Sequence, residues 1–306
     1  YPDPTGAKGD SHVVGIQGAL QYPNVTLLCN RKALKINTDK SGCRAVSVSV
    51  AHDGMEETYS ADTIVVACGA INSAALLLRS ANEKHPGGLA NSSGQVGRNL
   101  MIHNNGVVLA YSAKPNPSTF QKAILIPDFY HGADDSPYPL GAIQNMGKAD
   151  PLLLADAVGD ELGKNGKDAA HFAGHIVDFF ITAEDLPKHE NRVAVDAQGN
   201  IQLHYTPNNL EAYNRLRNKL TGIMDRVAEN EGVGGSTRYY GFKLGIGGVS
   251  HQNGTCRFGH DPKTSVLDVH CKAHDLDNLY VVDTSFFPSS GAVNPSLTAM
   301  ANAFFF

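Results

Sequence analysis

The chain has 306 residues, 42% hydrophobic and 18% charged, with a net charge of −5. That acidic balance argues against nucleic-acid binding, which needs a basic face. No run of ~18 apolar residues suggests a membrane-spanning helix. The opening stretch YPDPTGAKGDSH has neither the charged start nor the apolar core of a signal peptide, and its lack of Met suggests a processed or truncated end. Cys29, Cys43, Cys68, Cys256 and Cys271 are odd in number and form no Cys-x-x-Cys pair. We therefore expect mostly buried thiols in a reducing compartment, in a soluble and cytoplasmic protein.

In chain order, NVTLLCNRKALKI (24–36) is apolar and β-prone and predicts a strand or strand pair. TDKSG (38–42) supplies turn residues. RAVSVSVA (44–51) then alternates, with Val46, Val48 and Val50 on one face and Ser47 and Ser49 on the other, as in a half-buried strand. TIVVACGA (63–70) lacks alternation and predicts a central strand buried on both faces. INSAALLLRSA (71–81) reads as a helix with Leu76, Leu77 and Leu78 facing the sheet. A strand, a tight turn of small residues and a helix often place a ligand at the helix N-terminus.

Residues 82–180 are rich in Gly, Pro, Asn and Asp and poor in periodicity, so long connections are expected there. HFAGHIVDFFITAE (171–184) is apolar enough to hold a strand, and NRVAVDAQGNIQLHYT (191–206) reads as a hairpin about a turn at 196–200. A helix is predicted to follow, capped by Thr206 with Pro207 at its first position. Its apolar stripe is Leu210, Tyr213, Leu216, Leu220, Ile223, Met224 and Val227. LYVVD (279–283) reads as a buried strand, TSFFPSSGAV as a loop, and Asn294-Pro295 as the start of a last helix. The terminal Phe-Phe-Phe implies either burial or a helix that has been cut.

Among candidate chemical groups, Asp268, His270, Cys271 and His274 lie in a loop-like stretch without a partner cluster. No metal site is expected, and both histidines are expected at the surface. LGIGGVS (244–250) and EGVGGST (231–237) each lack the third glycine of a dinucleotide loop and the flanking strand and helix. His251 precedes the small residues Gly254-Thr255-Cys256, which let another backbone come close, and Asn294 on its own is a simple helix cap.

Four stretches in order resemble the glucose–methanol–choline (GMC) family of flavin oxidoreductases. They are GAINSAALLLRS (69–80), VGRNLMIH (96–103), SHQNGTCRFGHDPKTSVLD (250–268) and NLYVVDTSFFPSSGAVNPSLTAMANA (278–303). His251 and Asn294 stand 43 positions apart, as the paired active-site residues of that family do. The resemblance implies an FAD enzyme that oxidises a CH–OH group of an alcohol, sugar or polyol. It would then pass electrons to oxygen, a quinone or a redox protein. The family's N-terminal Rossmann segment has no counterpart in these residues, so the resemblance is to the C-terminal portion. The alternatives within this reading are a flavin-containing lyase that is not redox-active and an incomplete, inactive fragment.

By the same resemblance, His251 is the base near neutrality that takes the hydroxyl proton. Asn294 donates to the substrate oxygen as negative charge develops there. Capping the last helix would compete for the same carboxamide. Ala33, Asp283, Thr284, Asn294, Pro295 and Ser296 match positions that touch FAD. The implied fold is mixed α/β. Residues 1–103 and 243–306 would form part of a Rossmann-like FAD domain, and 104–242 a substrate domain with an antiparallel sheet flanked by helices.

Overall fold

The structure, a computed structural model, describes residues 5, 7, 9–118, 122–151, 154, 169–235 and 237–304. It is a mixed α/β fold with two main apolar cores. The first strand begins later than predicted: β1 is Lys32–Thr38, while Val25, Leu27 and Leu28 are exposed at 39, 49 and 44%. It pairs antiparallel with β2 (Ala45–His52) across the predicted turn. Asp39 holds that turn, its Oδ1 accepting from the N–H of Gly42 at 3.0 Å and from the Ser41 hydroxyl at 2.7 Å. The serine face of β2 is buried too, because Asn37 donates to both Ser47 and Ser49 at 3.2 Å. An unpredicted third strand, β3 (Met55–Ser60), completes this sheet. Its sequence MEETYS carries no apolar pattern, and it is placed by pairing with β2 and by the ion pair of Glu57 with Arg31.

β4 (Ile64–Val66) leads through Cys68-Gly69 into α1 (Ala70–Arg79), as predicted. Leu76 and Leu77 are buried, and Leu78 packs against the same core. β4 is not buried on both faces, for Val65 is 56% exposed. Among the described residues its one strand neighbour is parallel β12 (Leu279–Val281). Ile64, Val66, Leu77, Leu100, Leu279 and Val281 belong to the first core. Truncating such a residue to Ala typically costs about 2–5 kcal/mol.

Within 82–180, where long connections are expected, three strands form instead: β5 (Asn104–Tyr111), β6 (Leu125–Ile126) and β7 (Ala142–Asn145). With β8 (Ile176–Ala183), which falls in the apolar stretch 171–184 as expected, and β11 (Arg238–Lys243) they build a five-stranded antiparallel sheet in the order β11-β5-β8-β7-β6, the kind of sheet the resemblance implies for 104–242. A short helix α2 (Ala169–Gly174) precedes β8. The predicted hairpin forms as β9 (Arg192–Val195) and β10 (Ile201–His204), and it packs on the first core beside α1.

The amphipathic helix α3 is Leu210–Asn230, with Ala212, Tyr213, Leu216 and Leu220 buried against the five-stranded sheet. It starts later than Thr206. The backbone N–H of Thr206 is instead held by Asn191 at 2.8 Å, and Asn209 makes the turn into the helix with φ of 49°. The last helix, α4, is Ser296–Ala303. Phe304 after it is 90% exposed, and 305–306 lie outside the described residues. The cysteines differ from expectation, since only Cys256 and Cys271 are buried while Cys29, Cys43 and Cys68 are exposed, all as free thiols. Among the described residues no helix is long and apolar enough to cross a membrane.

Candidate active site

The parallel pair β4–β12 sets the site. Ligands of open α/β sheets gather at the carboxyl ends of parallel strands, and here those ends carry Cys68-Gly69 and Asp283-Thr284. One carboxylate joins them. Asp283 Oδ2 accepts from the N–H of Gly69 at 2.9 Å and from the Ser73 hydroxyl. Its Oδ1 accepts from the N–H of Ser285 at 2.8 Å and from the Ser285 hydroxyl.

The segment that carries His251 runs beside this turn. Gly254, Cys256 and Phe258 donate their N–H groups to the carbonyls of Thr284, Ser285 and Phe286 at 3.1, 2.8 and 2.9 Å. Thr284 Oγ1 donates to the carbonyl of Gln252, and Thr255 Oγ1 to that of Ala70, at 2.7 and 2.6 Å. On the other flank Met101 and Asn253 exchange N–H···O bonds. The small residues 254–256 are therefore small because three backbones meet there. At Gly254, with φ of +88°, a Cβ would lie 2.5 Å from Met101 Cε and 2.6 Å from the carbonyl oxygen of Asn99.

His251 is half-buried, and its Nδ1 lies 3.0 Å from Nδ1 of His103. His103 is fully buried, and its Nε2 lies 2.9 Å from the carbonyl oxygen of Ser290. Burial, then the neighbouring His103 and Lys122, push the His251 pKa down to about 4. Burial also lowers that of His103. The expectation of a base near neutrality is thereby corrected. His251 is an uncharged imidazole throughout the neutral range, able to take a proton but a weaker base than a solvated one.

Asn294 is exposed and does not cap α4. Pro295, which is buried, stands at that position, and no side chain closes the helix end. Asn294 Oδ1 instead accepts from Gln144 Nε2 at 3.0 Å, which leaves its NH₂ group as the outward donor. It lines an open pocket of about 330 Å³ with Tyr130, Phe258, Phe286, Phe287 and Thr298; His251 is not among the walls. The link from His251 to the Asn294 loop runs through His103 and Ser290.

Of the other predicted residues, Asp283 and Thr284 share the turn that braces the His251 segment, and exposed Ser296 opens α4. Ala33 pairs with Val50 in the first sheet and packs on the first core. His103 closes the VGRNLMIH motif, which is its one mark in the sequence; in the fold it has a φ of +68°, unusual for a residue other than glycine. His270 is exposed as expected, whereas His274 is half-buried and bonded to Ser265 and Gly259.

Two GMC oxidoreductase family models match the chain, one over residues 1–105 and one over 200–303. The chain is 34% identical over 317 residues to 6‴-hydroxyparomomycin C oxidase of Streptomyces lividus, a match covering 98% of this chain and 54% of that protein. It is 32% identical over 267 residues to 2-methyl-1,2-propanediol dehydrogenase of Mycolicibacterium austroafricanum, covering 82% of this chain and 48% of that one. Its fold is similar to the crystal structure of pyridoxine 4-oxidase from Mesorbium loti, with a TM-score of 0.64 at 21% identity over 99% of this chain and 62% of that chain. The chain thus spans about half the length of the curated relatives it matches. With both family models covering its ends and the site motifs lying inside or beside them, the chain belongs to the GMC oxidoreductase family.

Proposed function

We propose that this chain carries the proton-handling half of an FAD-dependent oxidoreductase acting on a CH–OH group of a small alcohol or sugar. The names of the two relatives, one an oxidase of a paromomycin-type compound and one a diol dehydrogenase, support that substrate class. The observation that carries the reading is the neutral His251 imidazole, held by its Nδ1 on a segment braced against the carboxyl ends of β4 and β12.

The residues present fit a large, planar, partly anionic cofactor. Gly69 has φ of +79° with open space where a Cβ would stand, so the turn there can be approached closely. The N-terminal end of α4 carries no side-chain cap, and helix N-termini favour negative charge. Asp283, through the turns it ties together, and Thr284, Asn294, Pro295 and Ser296 would hold the flavin end. Ala33 would contact its other end by backbone. When bound, FAD supplies hydride acceptance, which no side chain can. His251 Nε2 takes the hydroxyl proton, so that positive charge does not build on the carbon. Asn294, its carboxamide oriented by Gln144, donates an N–H to the oxygen as it gains negative charge. We assign 1–103 and 243–306 to the flavin side and 104–242 to the substrate side.

The test is reduction of the flavin's visible absorbance by a panel of alcohols and amino sugars, in protein carrying bound flavin. His251→Ala is expected to fold and to slow bleaching by at least about a hundredfold. Near-normal bleaching in that variant removes His251 from the mechanism. Flavin that binds the native protein and is bleached by no substrate turns the reading toward a lyase.

A further inference from the structure

The hydrogen bonds behind His251 determine where its proton sits. A backbone carbonyl can only accept, so His103 Nε2, 2.9 Å from the oxygen of Ser290, must carry a hydrogen. His103 is fully buried, and among the described residues no carboxylate bonds its ring, so a second proton is disfavoured and Nδ1 keeps its lone pair. The contact of 3.0 Å between the two Nδ1 atoms then has one possible sense, in which His251 donates and His103 accepts. That leaves Nε2 of His251 as its lone-pair nitrogen. A free histidine in water prefers the opposite arrangement, with the hydrogen on Nε2.

Both ends of this relay are fixed. The Ser290 carbonyl is held in place by the Ser290 hydroxyl, which donates to the carbonyl of Asp185 at 2.9 Å. It is held further by the neighbouring Gly291 N–H, which donates to Glu184 Oε1 at 3.2 Å. His103 lies between the Met101–Asn253 bridge and the start of β5, with Asp185 Oδ2 accepting the N–H of Ile102 at 3.0 Å. His251 is tied to the same bridge through its own carbonyl, which accepts from Asn253 Nδ2 at 2.8 Å.

We propose that His103 is a positioning residue that locks His251 in the tautomer protonated at Nδ1, so that Nε2 alone is the base. The inference rests on the oxidoreductase reading for its purpose, though not for its geometry. It has a chemical consequence. The relay ends at a carbonyl, which cannot take a proton at neutral pH, so His103 passes nothing onward. A proton gained at Nε2 of His251 leaves again from Nε2.

The experiment is long-range ¹H–¹⁵N correlation of histidine ring nitrogens in the uniformly labelled chain, with His251 assigned by the signals lost in His251→Gln. The native protein is expected to show a protonated, pyrrole-type Nδ1 and a bare, pyridine-type Nε2 at His251. Two variants separate positioning from structure. His103→Asn places a carboxamide oxygen where Nδ1 stood and should keep the native pattern. His103→Gln keeps a donor toward Ser290 but offers His251 no acceptor at that point, so His251 should shift toward the Nε2-protonated form.

In flavin-loaded protein, His103→Gln should lower kcat by about tenfold to a hundredfold at unchanged KM, a share of the usual worth of base catalysis. His103→Asn should recover most of it. An Nε2-protonated His251 in the native spectrum overturns the proposal even if no variant folds. So does a tautomer indifferent to His103→Gln. A native tautomer as described, in a protein whose flavin reduction ignores His251→Gln, leaves the positioning intact and discards the catalytic reading instead.

Discussion

Replacing Asp283 with alanine removes one carboxylate and leaves four donors without an acceptor: the N–H groups of Gly69 and Ser285 and the hydroxyls of Ser73 and Ser285. Both serines are fully buried. The hydroxyls can rotate, but the two backbone N–H groups cannot, and each buried donor left unpaired costs about 1–3 kcal/mol. Gly69 is half-buried, so water can reach it and relieve part of that loss. The expected destabilisation is therefore about 3 kcal/mol, toward the low end of the summed range. With an unfolding entropy of about 2 cal/mol/K per residue, that lowers the melting temperature of a chain this size by about 5 °C. Asp283→Asn keeps an oxygen for Ser285 but turns an NH₂ against the N–H of Gly69, and should lose about half as much. Scanning calorimetry of the three proteins checks the ranking. An alanine variant that melts within about 1 °C of the native protein refutes the claim that this carboxylate joins the two strand ends, because two stranded amides cannot be that cheap.

Two further outcomes follow. The His251 pKa is lowered from its ordinary value to about 4, so the unfolded chain binds the extra proton first on acidification. Its contribution is fully present above the unfolded value and fades as pH falls toward 4, with a slope of at most about 1.4 kcal/mol per pH unit. Buried Asp178 and Asp185 are raised and act in the opposite sense, so the test is the difference in urea stability between native and His251→Gln protein, which should narrow between neutral pH and pH 4. Gly254→Ala combines a left-handed backbone with contacts of 2.5 and 2.6 Å to Met101 and Asn99. It should cost about 2–4 kcal/mol, read by urea unfolding; a loss below about 1 kcal/mol would show that the crossing of three backbones is looser than described.

The sequence was most legible where its signals are local. β2, α1, the hairpin and α3 announce themselves by period, and the block from Gly254 to Cys256 by residue size. The family resemblance implies an antiparallel sheet here and the apolar run at 171–184 marks β8, but no local pattern marks β5 and β7, because they carry Asn104, Asn105 and Asn145, residues that normally mark loops. Two of them are accommodated by distant partners: Asn145 Oδ1 takes the N–H groups of Ala123 and Ile124, and Asn104 Nδ2 reaches the carbonyls of Glu184 and Asn208. Asn294 finds its partner Gln144 150 positions away, and His103 finds His251 148 positions away. No local pattern encodes such pairings. The lowered basicity of His251 likewise depends on burial that only the folded chain creates.

Gln144 sits opposite Phe180 where β7 and β8 pair, and from there it meets Asn294. Side chains alternate between the two faces of a strand, so sliding β7 by a single residue against β8 would point Gln144 away from Asn294 and leave that amide free to rotate. On the function proposed above, the alignment of two strands would thus decide where the Asn294 donor points. If Asn294 meets the substrate as proposed, substitutions at the edge of this sheet that tolerate slippage would change turnover from a distance.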